Sequence, residues 1–380
     1  MKTKIYLISF AVIMLAGCTK PLTLTVSNPS LIERNNTLAE ISLQDLGLTL
    51  EQLQQKALFN DKGEKLAYQV MYYGQAEPQS VVFLVDNIRG GMLRRYTLRN
   101  GKPLPVPQVC TAQFVAERKD DFAWENDLAA YRMYGPALAA ENPSNGVDLW
   151  LKCTDKPVVA QFYDDDLHHG KPYHVNHGEG LDCYKVAHTL GCGGIAPYIN
   201  GKLSVLDHYT SYQIIEAGGL RCVFRLTYPT HTLTVTTDAG SQLNKAVVEV
   251  RNNPEQTQTI SNDTEAQTWA AGIYLHDKID NVSFSEQGGW AAYAENAVSD
   301  AGEPEGRNYC AVYVPGAEEI KVEEGHLLVI AGPAADNAVT YWFGGGWSKW
   351  HYPTDATWFS ATAEFAHNAL LPLQVKVAEE

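Results

Sequence analysis

The chain has 380 residues, with 44 Asp and Glu against 29 Lys and Arg, and a formal net charge of −15 at pH 7. Nucleic acid repels such a chain, and no basic run offers a compensating patch, so a nucleic-acid function is set aside. The length predicts two domains, or one large β domain with an appendage.

The first segment is predicted to be a lipoprotein leader. Lys2 and Lys4 precede an apolar run, IYLISFAVIMLA, that is too short to span a bilayer comfortably. The run ends in LAGC, which is similar to a bacterial lipobox. This similarity implies a signal peptide over residues 1–17 and diacylation of Cys18. It also implies an anchor on the periplasmic side of the outer membrane, with surface exposure as the alternative.

Residues 18–107 are predicted to form a small antiparallel β-sandwich. Runs such as LTLTV and SVVFLV are apolar or alternating, and turn-rich pieces separate them. The helix candidate here is short, over 50–56, and PLPVP at 103–107 predicts a stiff connector. Residues 108–380 carry strand after strand with little helical period, which predicts a second, large antiparallel β-sandwich. The best helix candidate lies over 357–367.

Six cysteines remain beside Cys18, and an even count in an oxidising compartment permits disulfides. Their spacing is wide and irregular, and the lack of a CxxC pair argues against structural zinc held by cysteine. They are Cys110, Cys153, Cys183, Cys192, Cys222 and Cys310.

The first segment that could carry chemistry is FAWENDLAAYRMYGP. Glu125, Asn126 and Arg132 are interleaved there with aromatic residues, including Trp124 and Tyr134. Such a mixture is typical of sugar sites, because rings stack on the apolar face of a sugar while charged groups bind its hydroxyls. An amphipathic edge strand or a short helix is the alternative.

The second segment is YHVNHGEGLDCYKVAHTLGCGG, in which glycines allow sharp reversals and close approach of a ligand. Its imidazole and phenol groups predict proton transfer. A zinc or calcium ion held by the histidines and Asp182 is left open. A structural loop closed by a Cys183–Cys192 disulfide is a further alternative. The candidate residues are His174, His177, Asp182 and Tyr184, with His168 and His169 just upstream.

Two further segments follow. In RCVFR, the alternation of a strand places Arg221 and Arg225 on one face, where they would suit a carboxylate or an acidic sugar, or lie solvated. In YWFGGGWSKWHY, tryptophans surround three consecutive glycines, which predicts a flexible aromatic lid or a sugar-stacking wall; a buried hairpin is the alternative. The residues concerned are Trp342, Trp347, Lys349 and Trp350.

Together with DAGSQLN and FGGGWSKW, the first two segments resemble, in this order, the family catalogued as domain of unknown function 4861. The resemblance covers most of the chain after the leader. It implies a fold similar to the galactose-mutarotase-like β-supersandwich, which several polysaccharide lyases share, and an association with the breakdown of acidic polysaccharides. A fold alone does not confer a function.

The resemblance also implies β-elimination from a terminal uronic acid, as in an oligosaccharide dehydratase or a lyase. A base removes the proton α to the carboxylate, so the enzyme must neutralise that carboxylate and place a base beside it. We assign neutralisation to Arg132, the base to His174, His177 or Tyr184, and protonation of the leaving oxygen to Tyr134. The predicted substrate contacts are Trp124, Glu125, Asn126, Asp182, Arg221, Arg225, Trp347, Lys349 and Trp350.

Three other functions are left open. Glycoside hydrolysis would use Glu125 or Asp127 with Glu179 or Asp182, and the separation of the pair would predict retention or inversion. A glycan-binding lipoprotein without catalysis would use the tryptophan-rich segment, and a mutarotase-like epimerase would need a histidine and a glutamate. The expected partner is an acidic oligosaccharide, and no cofactor is expected.

Overall fold

A computed structural model of the chain describes residues 21–141, 146–204, 208–251, 268–276, 281–332 and 337–378. The predicted leader and Cys18 lie outside these residues, so the lipid anchor stays a prediction. Within the described ranges, no helix has both the length and the apolar character needed to cross a membrane.

The N-terminal unit is a small antiparallel β-sandwich, as the sequence predicts. Its strands are β1 (Leu22–Ser27), β2 (Arg34–Ser42), β3 (Lys56–Phe59), β4 (Lys65–Leu66), β5 (Tyr68–Met71), β6 (Ser80–Ile88) and β7 (Leu93–Asn100), with short helices α1 (Leu43–Leu46) and α2 (Leu50–Leu53) between β2 and β3. One sheet contains β1, β7, β3 and β4, and the other contains β2, β6 and β5. Apolar residues at alternate positions, such as Val26 and Phe83, fill the space between the sheets.

The larger unit is also an antiparallel sandwich, which confirms the all-β fold class. Its strands are β8 (Cys110–Val115), β9 (Asp121–Glu125), β10 (Ala130–Met133), β11 (Val147–Lys152), β12 (Gly180–Asp182), β13 (Cys192–Ile199), β14 (Lys202–Leu203), β15 (Ser211–Gly219), β16 (Arg221–Thr227), β17 (His231–Asp238), β18 (Asn244–Val250), β19 (Trp269–Tyr274), β20 (Val282–Ser285), β21 (Trp290–Val298), β22 (Pro304–Tyr313), β23 (Ala317–Glu323), β24 (His326–Ala331) and β25 (Ala338–Trp347). A 13-stranded sheet runs in the order β12-β11-β10-β9-β8-β15-β16-β17-β18-β25-β22-β21-β20. A 5-stranded sheet, β14-β13-β19-β24-β23, packs against its inner face around one large core.

Two helices cover parts of the opposite, outer face of the large sheet. Helix α3 (Val159–His169) packs Phe162 and Tyr163 on Trp150. Helix α4 (Asp355–Ala369) stacks Trp358 on Tyr309 of β22. The sequence predicts α4 over 357–367 but not α3, because the acidic and histidine-rich second half of α3 masks its short apolar stripe.

The last strand returns to the N-terminal unit. Strand β26 (Gln374–Val377) pairs with β1, with Val377 opposite Leu24, and extends the sheet of β1, β7, β3 and β4. A division of the chain at residue 107 does not anticipate this, since the closing strand of the first unit comes from the far end of the sequence.

All six cysteines in the described part of the chain are free thiols. The Cys183–Cys192 disulfide of the alternative interpretation is therefore not formed. Both thiols are buried in the main core, where they pack as small apolar side chains.

The two units meet closely at the turn between β17 and β18. Gly240 has a φ of +75°, and a Cβ added there would lie 1.9 Å from the Asn36 carbonyl oxygen of β2. The Gln69 side-chain oxygen accepts hydrogen bonds from the backbone N–H groups of Leu220 and Arg221, at 2.7 and 3.0 Å. The relative position of the units thus depends on a backbone approach that only glycine permits.

We expect Gly240→Ala to lower the free energy of unfolding by about 2–4 kcal/mol, because a left-handed conformation and a clash with backbone act together. Gly47 is the matched control, since its φ is +63° but no atom lies within 4 Å of an added Cβ. Gly47→Ala should cost only about 1 kcal/mol. Urea denaturation of both variants checks this, and equal losses would contradict the tight junction.

Candidate functional site

A layer of charged side chains lies buried on the outer face of β9–β12, beneath α3. Alternate residues of a strand point to the same face of a sheet, which brings these groups together across four neighbouring strands. Arg132 lies directly opposite Asp148 in the register. We call this set the buried charge layer; its members, all buried, are Asp121, Glu125, Arg132, Asp148, Lys152 and Asp182.

Arg132 is the centre of this layer, with a side chain only 2% exposed. Its Nε donates to Asp148 at 2.9 Å, and Nη2 donates to Asp182 at 2.8 Å and to Tyr134 Oη at 3.1 Å. Its Nη1 donates to Tyr173 Oη at 3.0 Å and to Asp121 at 3.5 Å. The prediction that Arg132 binds the substrate carboxylate therefore needs correction: every N–H group already has a protein partner, so Arg132 organises the site instead.

Negative charge is in excess around this guanidinium. Burial, and then the neighbouring Asp148, raise the pKa of Asp182 well above its usual value, and burial also raises the pKa of Asp121. Among the described residues, Oδ1 of Asp121 and Oδ1 of Asp148 have no hydrogen-bond partner. Desolvated carboxylates that share one cation hold protons more tightly than carboxylates in water.

His174 lies at the edge of the layer, with 28% of its side chain exposed. Its Nδ1 lies 3.2 Å from the Asp182 carbonyl oxygen and 3.4 Å from Asp182 Oδ2. A carbonyl oxygen can only accept, so Nδ1 carries the proton and Nε2 keeps its lone pair in the neutral ring. Burial lowers the pKa of His174 below its usual value. His174 is therefore a neutral imidazole at pH 7, with Nε2 able to accept a proton.

Tyr134 follows β10 on the same face of the sheet and is half-buried. Its Oη accepts a hydrogen bond from Arg132 Nη2, so its own proton remains free to donate. Burial, followed by the charge of Asp148, raises the pKa of Tyr134 well above its usual value. Tyr134 therefore stays protonated and can act as an acid.

Arg118 is a cation at this edge that the sequence does not single out. It ends a short 3₁₀ turn (Ala116–Arg118) between β8 and β9, and its Nε donates to Tyr173 Oη at 3.0 Å. In the described part of the chain, its two terminal nitrogens have no hydrogen-bond partner, and the side chain is half-buried. Arg118 thus has the free donors for a carboxylate that Arg132 lacks.

The loop that carries His174 is fixed from two sides. The His174 carbonyl oxygen accepts from Asp300 N at 3.2 Å, and Lys185 forms an ion pair with Asp300 at 2.7 Å. His276 contacts Glu295 at 2.8 Å through Nδ1 and the Lys185 carbonyl oxygen through Nε2. The glycine-rich segment is therefore clamped between the buried charge layer and the turn that joins β21 to β22.

The other predicted proton-transfer residues are placed less favourably. His177 is exposed, and its Nε2 lies 2.9 Å from the Pro172 carbonyl oxygen. Tyr184 is buried in the main core, with its ring edge-on to His276. Among the three predicted bases, the structure favours His174, because its side chain is partly exposed and also contacts the buried charge layer.

The predicted metal ligands do not converge. His168 and His169 lie in α3 and contact Glu117 and Asp164. Across the described residues, no three His, Cys, Asp or Glu side chains are grouped so that they could hold a metal ion.

The predicted sugar-stacking role does not fit Trp124 and Trp347. Trp124 is 0% exposed and stacks on Tyr131 in the main core. Trp347 is 2% exposed, and its Nε1 donates to the Glu305 carbonyl oxygen at 2.6 Å. Strand alternation turns both rings toward the main core. For Trp347, the alternative prediction of a buried hairpin therefore fits better than the prediction of a flexible lid.

Glu125 and Asn126 are also buried, and their side chains bind other parts of the protein. Glu125 pairs with Lys152 at 2.7 Å and accepts from the first backbone N–H groups of α3, at Val158 and Val159. Asn126 donates to the carbonyl oxygens of Asp238 and Ser241 in the β17–β18 turn. Neither side chain faces solvent, so the prediction that they contact substrate does not fit.

The remaining predicted contacts are scattered. Arg221 binds Asp238 and Glu40 at the junction of the two units, away from Arg132, and Arg225 donates to Thr234 Oγ1 at 3.1 Å. Lys349 pairs with Glu305 at 2.6 Å, and Glu305 also accepts from Asn176 of the His174 loop. Trp350 is half-buried beside His351. Ligand contacts of Arg225, Lys349 and Trp350 stay predictions.

With this geometry established, comparisons with known proteins give the family. The family described as Domain of unknown function (DUF4861) matches residues 26–375. The chain belongs to this family. It is 26% identical over 292 residues to uncharacterized protein P7 of Formosa agariphila, and the match covers 70% of each chain.

A likeness to a solved structure supports the fold. A protein in the glycosyl hydrolase family 38 from Enterococcus faecalis superimposes with a TM-score of 0.52 at 10% identity. The match covers 94% of this chain and 47% of that one, so this DUF4861 chain spans about half the length of its structural neighbour. At this identity the likeness shows a shared fold alone.

We expect Arg132→Met to lower the free energy of unfolding by about 3–5 kcal/mol, because three buried carboxylates lose their shared cation. Arg118→Met is the control at the same edge, and it should cost under about 1 kcal/mol because the side chain is half-buried. Urea denaturation at pH 7 measures both. A loss below 1 kcal/mol for Arg132→Met would show that the layer does not depend on its guanidinium.

Proposed function

We propose that this chain is a carbohydrate-active enzyme that performs β-elimination, as a dehydratase or lyase, on the terminal uronic acid of an acidic oligosaccharide. One observation carries the proposal: His174 and Tyr134 are both held on the same buried pair, His174 by contacts of Nδ1 with the Asp182 carbonyl oxygen at 3.2 Å and the Asp182 carboxylate at 3.4 Å, and Tyr134 by a hydrogen bond from Arg132, which also binds Asp182. A base and an acid held at a fixed spacing are what an elimination requires.

In the proposed reaction, His174 Nε2 takes the proton from the carbon α to the carboxylate. The electron pair of that C–H bond forms the carbon–carbon double bond, and the bond from the β-carbon to its oxygen breaks. Tyr134 Oη donates its proton to the departing oxygen. His174 ends with one proton more and Tyr134 with one fewer, and exchange with water resets both groups.

The developing negative charge on the substrate carboxylate needs a cation close to the α-carbon. Arg118 supplies it in this proposal, since its terminal nitrogens are free and Tyr173 orients its Nε. Arg132 acts one step further away by holding Tyr134 and Asp182 in position. These roles of Arg118 and Arg132 replace the sequence-based assignment, in which Arg132 itself neutralises the substrate carboxylate.

Hydrolysis is the competing function. Of the carboxylates predicted for a hydrolytic pair, Glu125 is buried and bonded to Lys152, and Asp127 accepts from Gly240 N at 2.8 Å. Both candidates for the first carboxylate of the pair, whose partner would be Glu179 or Asp182, are thus committed to structural contacts, which favours elimination over hydrolysis. The lipid anchor at Cys18 and the periplasmic location remain proposals from the sequence.

We expect the full chain to release an unsaturated product from uronate oligosaccharides, detected as new ultraviolet absorbance. His174→Ala and Tyr134→Phe should each lower kcat/KM by about 10²–10⁴-fold, because each removes a proton-transfer group. His188→Ala, in an exposed part of the same loop, should leave the rate unchanged. New reducing ends without ultraviolet absorbance would identify a hydrolase instead.

The pH profile gives a second test. The base must be neutral, and burial lowers the pKa of His174, so activity should fall only below its ordinary value of about 6.5. The acid must be protonated, and the pKa of Tyr134 lies above its ordinary value of about 10. The kcat/KM of the wild type should therefore be level from about pH 6.5 to 9. An acid limb centred above pH 7 would rule out His174 as the base.

A further inference from the structure

A cleft lies between the N-terminal unit, the outer face of the large sheet and α4, away from His174. Two cavities of about 390 and 350 Å³ form it, and they share Arg221, Asp238, Ser241 and Trp342. A volume of this size is typical of small-ligand sites. Neither cavity includes a residue of the His174 site, so the cleft is a separate feature.

The floor of the cleft is a row of side chains across three adjacent strands. The register places Thr236 of β17 opposite Lys245 of β18, and Lys245 opposite Trp342 of β25. Trp342 is half-buried and lines both cavities. The Lys245 ammonium lies 5.9 Å from the centre of its ring. An indole that is partly exposed among polar groups suits the apolar face of a pyranose ring.

Polar side chains line the larger cavity together with this ring. The Asn36 side chain, on the wall formed by β2, is exposed, and its amide has no partner among the described residues. Gln242, on the turn that also carries Ser241, lines the same cavity; its oxygen accepts from Tyr352 at 3.3 Å, and its Nε2, which has no partner in the described part of the chain, is buried and does not face the cleft. Amide and hydroxyl groups of this kind pair with sugar hydroxyls.

The charges of the cleft argue against an anionic ligand. Arg221 is committed to Asp238 and Glu40, and Arg34 donates to Asn28 and to backbone carbonyl oxygens near the end of α4. The carboxylates that line the cleft, Glu33, Glu40, Asp238 and Glu364, outnumber the cations Arg34, Arg221 and Lys245. Lys245 has no ion pair among the described residues, but the carboxylates still exceed the cations by one, so a neutral sugar matches this balance better than a uronate.

We propose that this cleft is a second saccharide-binding site, which holds a neutral pyranose residue of a glycan against Trp342. The inference rests on the carbohydrate-active function proposed above, but it uses none of the residues of that site. It assigns the cleft a binding role and no chemistry.

The test is isothermal titration calorimetry of the full chain with neutral tetrasaccharides of glucose, mannose, galactose or rhamnose, and with a uronate tetrasaccharide. At least one neutral probe should bind, and Trp342→Ala should weaken its affinity at least about tenfold. Trp290→Ala is the matched control, because Trp290 is half-buried in the same apolar cluster as Trp342 but lines neither cavity. The affinity of the Trp290→Ala variant for the same neutral probe should stay within about twofold of the wild-type affinity.

Three results would overturn the site: no neutral probe binds at up to about 10 mM, Trp342→Ala binds as well as wild type, or the substitution weakens only the uronate probe. Trp342→Leu carries the same test if circular dichroism shows that Trp342→Ala is unfolded, because it removes the ring and keeps an apolar side chain. Neutral binding that depends on Trp342, without any unsaturated product from uronates, would reject the proposed elimination and keep this site. An unsaturated product from uronates, without binding of any neutral probe, would reject this second site and keep the proposed elimination.

Discussion

The guanidinium of Arg132, enclosed by three buried carboxylates, is the interaction on which the rest of the site depends. Charges in a dry interior are costly unless each one has its partners, and Arg132 meets this condition with all of its N–H groups. Because Tyr173 belongs to the glycine-rich segment, Asp182 to strand β12 within it and Tyr134 to the end of β10, the same contacts fix this segment to the sheet. Arg132, which the sequence predicts as a substrate contact, therefore supports the partly exposed residues His174 and Tyr134 instead.

The burial that isolates Arg132 acts on its neighbours in opposite directions. A desolvated imidazole loses its proton more easily, since its charged form is the protonated one, while a desolvated phenol keeps its proton, since its charged form is the phenolate. The pKa of His174 is lowered and the pKa of Tyr134 is raised, and both groups are neutral at pH 7. Burial is the largest cause of both shifts, so the same desolvation leaves a neutral imidazole that can accept a proton and a neutral phenol that can donate one at the edge of the layer.

The sequence predicts the sandwich, helix α4 and the two segments that supply the site, because strand alternation, capping and glycine-rich turns are local properties. It does not predict which face of a strand is covered. Helix α3 lies over the outer face of β9–β11, and this turns an apparently solvated charged row into the buried charge layer. The signal was present in VDLWLK, where Asp148 and Lys152 alternate with apolar residues on a strand that has no exposed face. Arg118 had no such signal, since its position depends on contacts with the distant Tyr173.

Both proposed sites lie on the outer face of one sheet, and their spacing limits how they can act together. From β10, which carries Arg132, to β25, which carries Trp342, the strand order takes seven steps, or about 34 Å at about 4.8 Å per step. The N-terminal unit is packed between them, with Arg221 of β16 paired to Glu40. A tetrasaccharide at one site is too short to reach the other by this path. We therefore expect the cleft to act mainly on longer chains, by raising the local concentration of the end that reaches His174.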